Sequence, residues 1–124
     1  MARKPSAGLT DAESEVMAIL WRLHPASVSD VLTAMNERRA VTYSTVQTML
    51  RILETKGYVT HEKVARAFIY KPAIDEREAR LRALRHLVRR LFNGSPSLLV
   101  LNVLEDQELD PAEREQLRKL IERA

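Results

Sequence analysis

The chain has 124 residues, 45% of them apolar and 30% charged, and no cysteine. That length suits one domain, or a small domain with an appended helical module; the missing cysteines exclude disulfides and thiolate metal sites and fit a reducing cytoplasm. The net charge of +3 is unevenly spread: residues 38–71 carry seven basic and two acidic side chains, whereas residues 73–124 carry ten of each, so the positive excess sits in mid-chain, as a footprint for a polyanion would.

Residues 1–6 include Arg3 and Lys4, but no apolar stretch follows, so no signal peptide is expected. No apolar run approaches the roughly 18 residues of a membrane helix, and no membrane insertion is expected. The first helix is predicted from Thr10. Thr10-Asp11-Ala12-Glu13 has the form of a capping box, and Val16, Ile19, Leu20 and Leu23 repeat at helical spacing up to Pro25. A second helix starts near Ser27, with Val28, Val31, Leu32 and Met35 inward. It ends in Asn36-Glu37-Arg38-Arg39. A third starts near Thr42, with Val46, Met49, Leu50 and Leu53 toward the core, and stops at Lys56-Gly57.

The period then changes. Residues 58–63 and 67–71 are β-prone runs flanking Val64-Ala65-Arg66, which predicts a two-stranded hairpin of open register, ended by Pro72. Asp75-Glu76-Arg77-Glu78 caps a long fourth helix with Leu81, Leu84, Val88 and Leu91 inward. Asn93-Gly94 breaks it; Asn93-Gly94-Ser95 matches a glycosylation sequon in form but, with Pro96 next, reads as a turn. Ser95-Pro96 starts a short fifth helix with proline at its first position. Asp110-Pro111-Ala112-Glu113 caps a sixth, carrying Leu117, Leu120 and Ile121. The expected fold is mainly α with a small β-hairpin wing: a winged helix-turn-helix over residues 1–72, then a three-helix dimerisation module over residues 73–124.

In that order of elements, the third helix enters the DNA major groove and the hairpin lies along the backbone. The solvent face of the third helix suits this role. Gln47 can pair with adenine edges and Arg51 with guanine N7 and O6. Ser44 and Thr48 can bond phosphates or bases, and Tyr43 a phosphate. Lys63, Arg66 and Lys71 would make the wing positive. The candidate DNA contacts are Tyr43, Ser44, Thr45, Gln47, Thr48 and Arg51 on the helix, and Lys63 and Arg66 on the wing. A polar helix face is usually just a solvated one, but such faces normally mix Glu and Lys. This one is uncharged apart from one Arg and precedes a basic hairpin.

The fifth helix, Ser97-Leu98-Leu99-Val100-Leu101-Asn102-Val103-Leu104, is apolar nearly all round. Such a helix needs burial on every side, and about 50 residues offer little to bury it with. A second subunit is the simplest cover; packing within the chain is the alternative. The expected dimer residues are Leu84, Leu91, Leu98, Leu99, Leu101, Leu117 and Leu120. Residues 74–92 are net basic and residues 105–124 net acidic, so the two segments are complementary within or between subunits. His24, His61 and His86 show no metal-ligand spacing, and the three glycines form neither a phosphate loop nor a nucleophile elbow. No catalysis, cofactor or metal is expected.

Several stretches together resemble the BlaI/MecI family, the penicillinase and methicillin-resistance repressors. They are Leu9-Thr10-Asp11-Ala12-Glu13-Ser14-Glu15-Val16-Met17 to Trp21, and Thr45-Val46-Gln47-Thr48-Met49-Leu50-Arg51-Ile52-Leu53 through Lys56-Gly57-Tyr58-Val59. Arg66, Phe68, Tyr70, Pro72, Phe92-Asn93-Gly94-Ser95 and Leu99-Val100-Leu101-Asn102 continue the series. The likeness runs in order over nearly the whole chain. It implies a homodimeric repressor on a palindromic double-stranded DNA operator, with winged-helix heads, an interlocked helical dimer and control of β-lactam-response or related genes. It also implies a membrane-bound metalloprotease sensor as partner and cleavage within the fifth helix. The bond at the family's Asn-Phe position is Asn102-Val103, where Val103 departs from the pattern. The family's copper-responsive branch uses a C-terminal cysteine cluster, which this chain lacks. Two other classes stay open: an architectural DNA-binding protein without a specific operator, and a winged helix that docks a protein.

Overall fold

The structure, a computed structural model, describes residues 8–124. The expectation about a signal peptide at residues 1–6 lies outside them. Three helices, α1 (Asp11–Leu23), α2 (Val28–Asn36) and α3 (Tyr43–Thr55), are followed by strands β2 (Val59–Val64) and β3 (Ala67–Pro72). A two-residue strand β1 (Ala26–Ser27) precedes α2 and makes the sheet three-stranded and antiparallel, in the order β1-β3-β2. The chain continues as α4 (Glu76–Leu91), α5 (Pro96–Glu105) and α6 (Pro111–Arg123). This is a winged helix followed by three helices.

The helix starts follow local chemistry. Thr10 and Glu13 form a reciprocal capping box on α1, and Ser27 and Asp30 do the same on α2. Thr42, Ser95 and Asp110 cap α3, α5 and α6. The end of α3 is a Schellman motif. Tyr58 N–H donates to Leu53 O at 2.9 Å and Gly57 N–H to Glu54 O at 3.0 Å. Gly57 supplies the left-handed residue with φ +86°, and Leu53 and Tyr58 are fully buried across the motif.

Two compact units divide at Leu84/Arg85, within α4. The core of the first is Val16, Met17, Leu20, Val31, Met35, Val46, Leu50, Leu53, Tyr58, Val59 and Tyr70, with little aromatic content. The start of α4 is packed into it. Ala79 is buried, Trp21 Nε1–H donates to Ile74 O at 3.1 Å, and Ala73 N–H donates to Tyr58 O at 2.8 Å. Arg82 lies 4.9 Å from the Tyr58 ring centroid and donates to Lys56 O at 3.2 Å. Residues 73–84 therefore complete the packing of the head, beyond the functional boundary expected at residue 72.

In the second unit, Asn93 and Gly94 turn the chain with φ of 51° and 75°. Arg114 of α6 donates to Leu104 O at 2.9 Å and Asp106 O at 2.8 Å, satisfying carbonyls at the end of α5. Val88 is buried, but no residue of α5 or α6 is. Leu84 and Leu91, expected to face inward, are 43% and 62% exposed in the single chain.

Candidate nucleic-acid interface

The register of the wing pairs Val59 with Pro72, His61 with Tyr70, Lys63 with Phe68 and Val64 with Ala67, leaving Ala65-Arg66 as a two-residue turn. Ala65 has φ +56°, a conformation hairpin turns usually give to Gly, Asn or Asp. Because strand side chains alternate, His61, Lys63, Phe68 and Tyr70 share one face. Thr60, Glu62, Ile69 and Lys71 share the other. Lys63 and the exposed Arg66 thus serve the α3 side and the tip, whereas Lys71 points the opposite way.

On α3, Val46, Leu50 and Leu53 are fully buried. With 3.6 residues per turn, Ser44, Thr48, Arg51 and Thr55 fall on the opposite face, all exposed, with half-buried Gln47 beside them. Tyr43, the first helical residue, is 48% exposed. Thr45 lies a quarter-turn away from this face, and its hydroxyl is 2.9 Å from that of the capping Thr42. From Tyr43 to Arg51 the helix advances about 12 Å, the rise of about three to four base pairs.

Several interactions that fix α3 were not legible beforehand. Val41 N–H donates to Asn36 Oδ1 at 2.9 Å, closing the turn between α2 and α3. Arg39 pairs with Glu15 of α1 at 3.3 Å. At the far end of α3, Lys56 Nζ donates to Glu13 Oε1 at 2.7 Å and to Gly8 O at 2.9 Å; the ion-paired side chains are only 4% and 5% exposed. Burial alone, the largest effect, would raise the Glu13 pKa. The bond from Lys56, the bond from the Thr10 backbone and the Lys56 charge together outweigh it and hold the carboxyl below its ordinary value.

Where α3 meets the wing, His61 Nδ1 is 2.7 Å and 2.9 Å from the two Glu54 oxygens. The imidazole also lies against Phe68, at 4.8 Å between centroids, and Tyr70, at 5.3 Å. The Tyr70 hydroxyl is pushed up by burial first and then by the Glu54 charge; Arg51 opposes this and Tyr43 adds to it. Glu54, Arg51 and Tyr43 therefore all act on one point at the root of the wing.

The leucines expected at a dimer contact divide into two sets. Leu98, Leu101 and Leu120 are 36%, 50% and 58% exposed. Leu99 and Leu117 instead line an apolar cavity of about 200 Å³ together with Val100, Val103, Leu104 and Ile121. Val100, Val103 and Ile121 extend the exposed apolar surface. Asn102, the one polar residue among them, donates from Nδ2 to Leu98 O at 2.8 Å, one turn back. Its amide is thus satisfied locally.

The family model described as penicillinase repressor matches residues 9–123. The chain belongs to the penicillinase repressor family. It is 32% identical over 114 residues to the penicillinase repressor of Bacillus licheniformis, covering 92% of this chain and 89% of that one. It is 26% identical to the methicillin resistance regulatory protein MecI of Staphylococcus aureus strain N315, covering 91% of this chain and 92% of MecI. The solution structure of the DNA-binding domain of the repressor BlaI superposes with a TM-score of 0.52 at 36% identity. That match spans 61% of this chain and 90% of the domain. Family membership agrees with the resemblance in the sequence, and the BlaI domain agrees with the winged-helix head.

Proposed function

We propose that this protein is a homodimeric transcriptional repressor that reads a palindromic DNA operator. The observation that carries it is the exposed, nearly uncharged polar face of α3, with its single Arg51, flanked by a wing that presents Lys63 and Arg66. Each head inserts α3 into the major groove. Arg51 and Gln47 read base edges, Tyr43, Ser44 and Thr48 bond phosphates or bases, and the wing cations neutralise phosphates. Thr45 supports the start of the helix. The exposed apolar surface of α5 and α6, including Leu98, Leu101 and Leu120, supports self-association, with Leu84 and Leu91 contributing from α4. Dimerisation places two heads on half-sites one helical turn apart, about 34 Å, and the second head binds at high effective concentration.

As the resemblance to the BlaI/MecI family implies, the repressor acts in the cytoplasm on genes of the β-lactam response, and a membrane-bound metalloprotease sensor relieves repression by leading to cleavage at Asn102-Val103. That bond lies in the middle of α5, so cutting requires local opening of the helix and removes residues 103–124, including all of α6. Footprinting DNA upstream of its own gene tests the proposal. A protected palindrome whose occupancy falls steeply with salt is expected; uniform protection would mark an architectural protein instead. Inducing the native host with a β-lactam and mapping fragment ends by mass spectrometry tests release. A fragment ending at Asn102 is expected, and derepression with the chain intact contradicts cleavage.

A further inference from the structure

We propose that His61 and Glu54 form a proton-linked clamp between the wing and α3, and that protonation of His61 strengthens DNA binding. The inference rests on the DNA-binding role of α3 and the wing. Glu54 is the only acidic residue of α3, and it stands on the flank of the helix that meets the wing. A carboxylate in that cleft repels phosphates. The His61 imidazole covers it from β2 at 2.7 Å, held in place by the Phe68 and Tyr70 rings. Both partners are about one-third exposed, so protons and the field of a bound polyanion reach them.

Histidine is the side chain that changes charge between about pH 5 and 8. With His61 neutral, its Nδ1–H still bonds the carboxylate, but the pair keeps one negative charge. With His61 protonated, the pair is neutral, and the tie between wing and helix becomes a charge-assisted bond. Around the pair, Arg51 and Tyr43 of α3 act on Tyr70 of β3, and Lys63 of β2 shares the strand face of His61. The hydroxyl of Tyr70 is held in its neutral form by burial first and then by the Glu54 charge. The charge that a phosphate meets in this cleft is therefore set by the His61–Glu54 pair, whose atoms lie 2.7 Å apart. Approach of phosphates favours proton uptake by His61, and linkage makes affinity rise as pH falls.

The test uses full-length protein and the DNA that the wild type selects from a random-sequence pool. Dissociation constants are measured from pH 6 to pH 8 at fixed salt. Wild-type affinity should rise about fivefold toward pH 6. His61→Gln, which keeps a hydrogen-bond donor, should lose most of that slope. Glu54→Gln should bind more tightly than wild type at pH 8. Thermal melts of each variant check folding, and Glu54→Gln keeps the proposal testable if His61→Gln does not fold. An unchanged slope in a folded His61→Gln protein, a flat wild-type profile, or weaker binding by folded Glu54→Gln at pH 8 would overturn the clamp. Failure of the wild type to select any DNA would instead overturn the DNA-binding reading itself.

Discussion

Arg51 is the only long cation on the exposed face of α3, where Ser44, Thr48 and Thr55 beside it are uncharged. Its removal should therefore act on sequence choice. Arg51→Ala is expected to weaken binding to the selected site by about 1–3 kcal/mol and relax the preference at one position of each half-site. Lys63→Ala should weaken binding to all sequences and lower the salt slope by about one. Competition assays with single-base variants of the site distinguish the two effects. A second residue-scale prediction concerns Lys56. Truncating one partner of a buried ion pair costs about 3–5 kcal/mol, so Lys56→Met should destabilise the head by that order at neutral pH. Because the Glu13 pKa is lowered in the folded state, the pair's contribution is present above the ordinary value of 4.5 and lost as pH falls through the folded one. Without Lys56, burial favours the neutral carboxyl. The stability gap between wild type and Lys56→Met in urea titrations should therefore begin to narrow above pH 4.5 and go on narrowing below it; a constant gap down to pH 3.5 would contradict the pairing. The capping role of Glu13 was legible because Thr10 is three residues away. Its ion pair was not, because Lys56 is 43 residues away and nothing in local spacing connects them.

At the scale of elements, helices announced themselves through caps and periodicity, whereas strands did so only in part. β1 has two residues, too few to show any period, and is defined by its pairing of Ala26 with Tyr70 and Ser27 with Ile69. The hairpin register stayed open because the two runs lack clean alternation; the turn also lacks Gly, Asn or Asp, and Ala65 instead adopts φ +56°. A left-handed conformation costs a non-glycine residue about 1–2 kcal/mol, and glycine returns about 0.5–1 kcal/mol of that in chain entropy. Ala65→Gly should thus raise head stability by about 0.5–1 kcal/mol; a drop in melting temperature would mean that the turn is not strained. The first part of α4 looked like the beginning of the helical module, since Asp75-Glu76-Arg77-Glu78 reads as a helix start whatever follows. Its inward residues Ala79 and Arg82 gave no apolar signal. A fragment ending at Leu84 should accordingly melt at a higher temperature than one ending at Pro72, which loses Ile74 as acceptor for Trp21 and Arg82 over Tyr58. Equal melting temperatures would contradict that packing.

For the whole molecule, the apolar character of α5 was plain in the sequence, and in the single chain its side chains stay partly or largely exposed. Sequence pattern alone could not divide them, because a helix apolar on every side has no periodic face. The fold separates Leu99 and Leu117, which line a cavity within the unit, from Leu98, Leu101 and Leu120, which project outward. Leu101→Asp should leave the monomer folded yet weaken dimerisation about thirtyfold or more, about 2 kcal/mol, by burying a charge. Sedimentation at micromolar concentration reads this directly, and an unaffected dimer would move the interface elsewhere. Operator affinity should fall in parallel through loss of the second head. The central claim, a symmetric pair of reading heads, is tested most directly by selecting binding sites from random-sequence DNA with the full-length protein. A palindrome with half-site centres about 10 base pairs apart is the expected product, with Arg51→Ala relaxing one symmetric pair of positions. Selection of a single unrepeated half-site, or of no sequence at all, would contradict the claim.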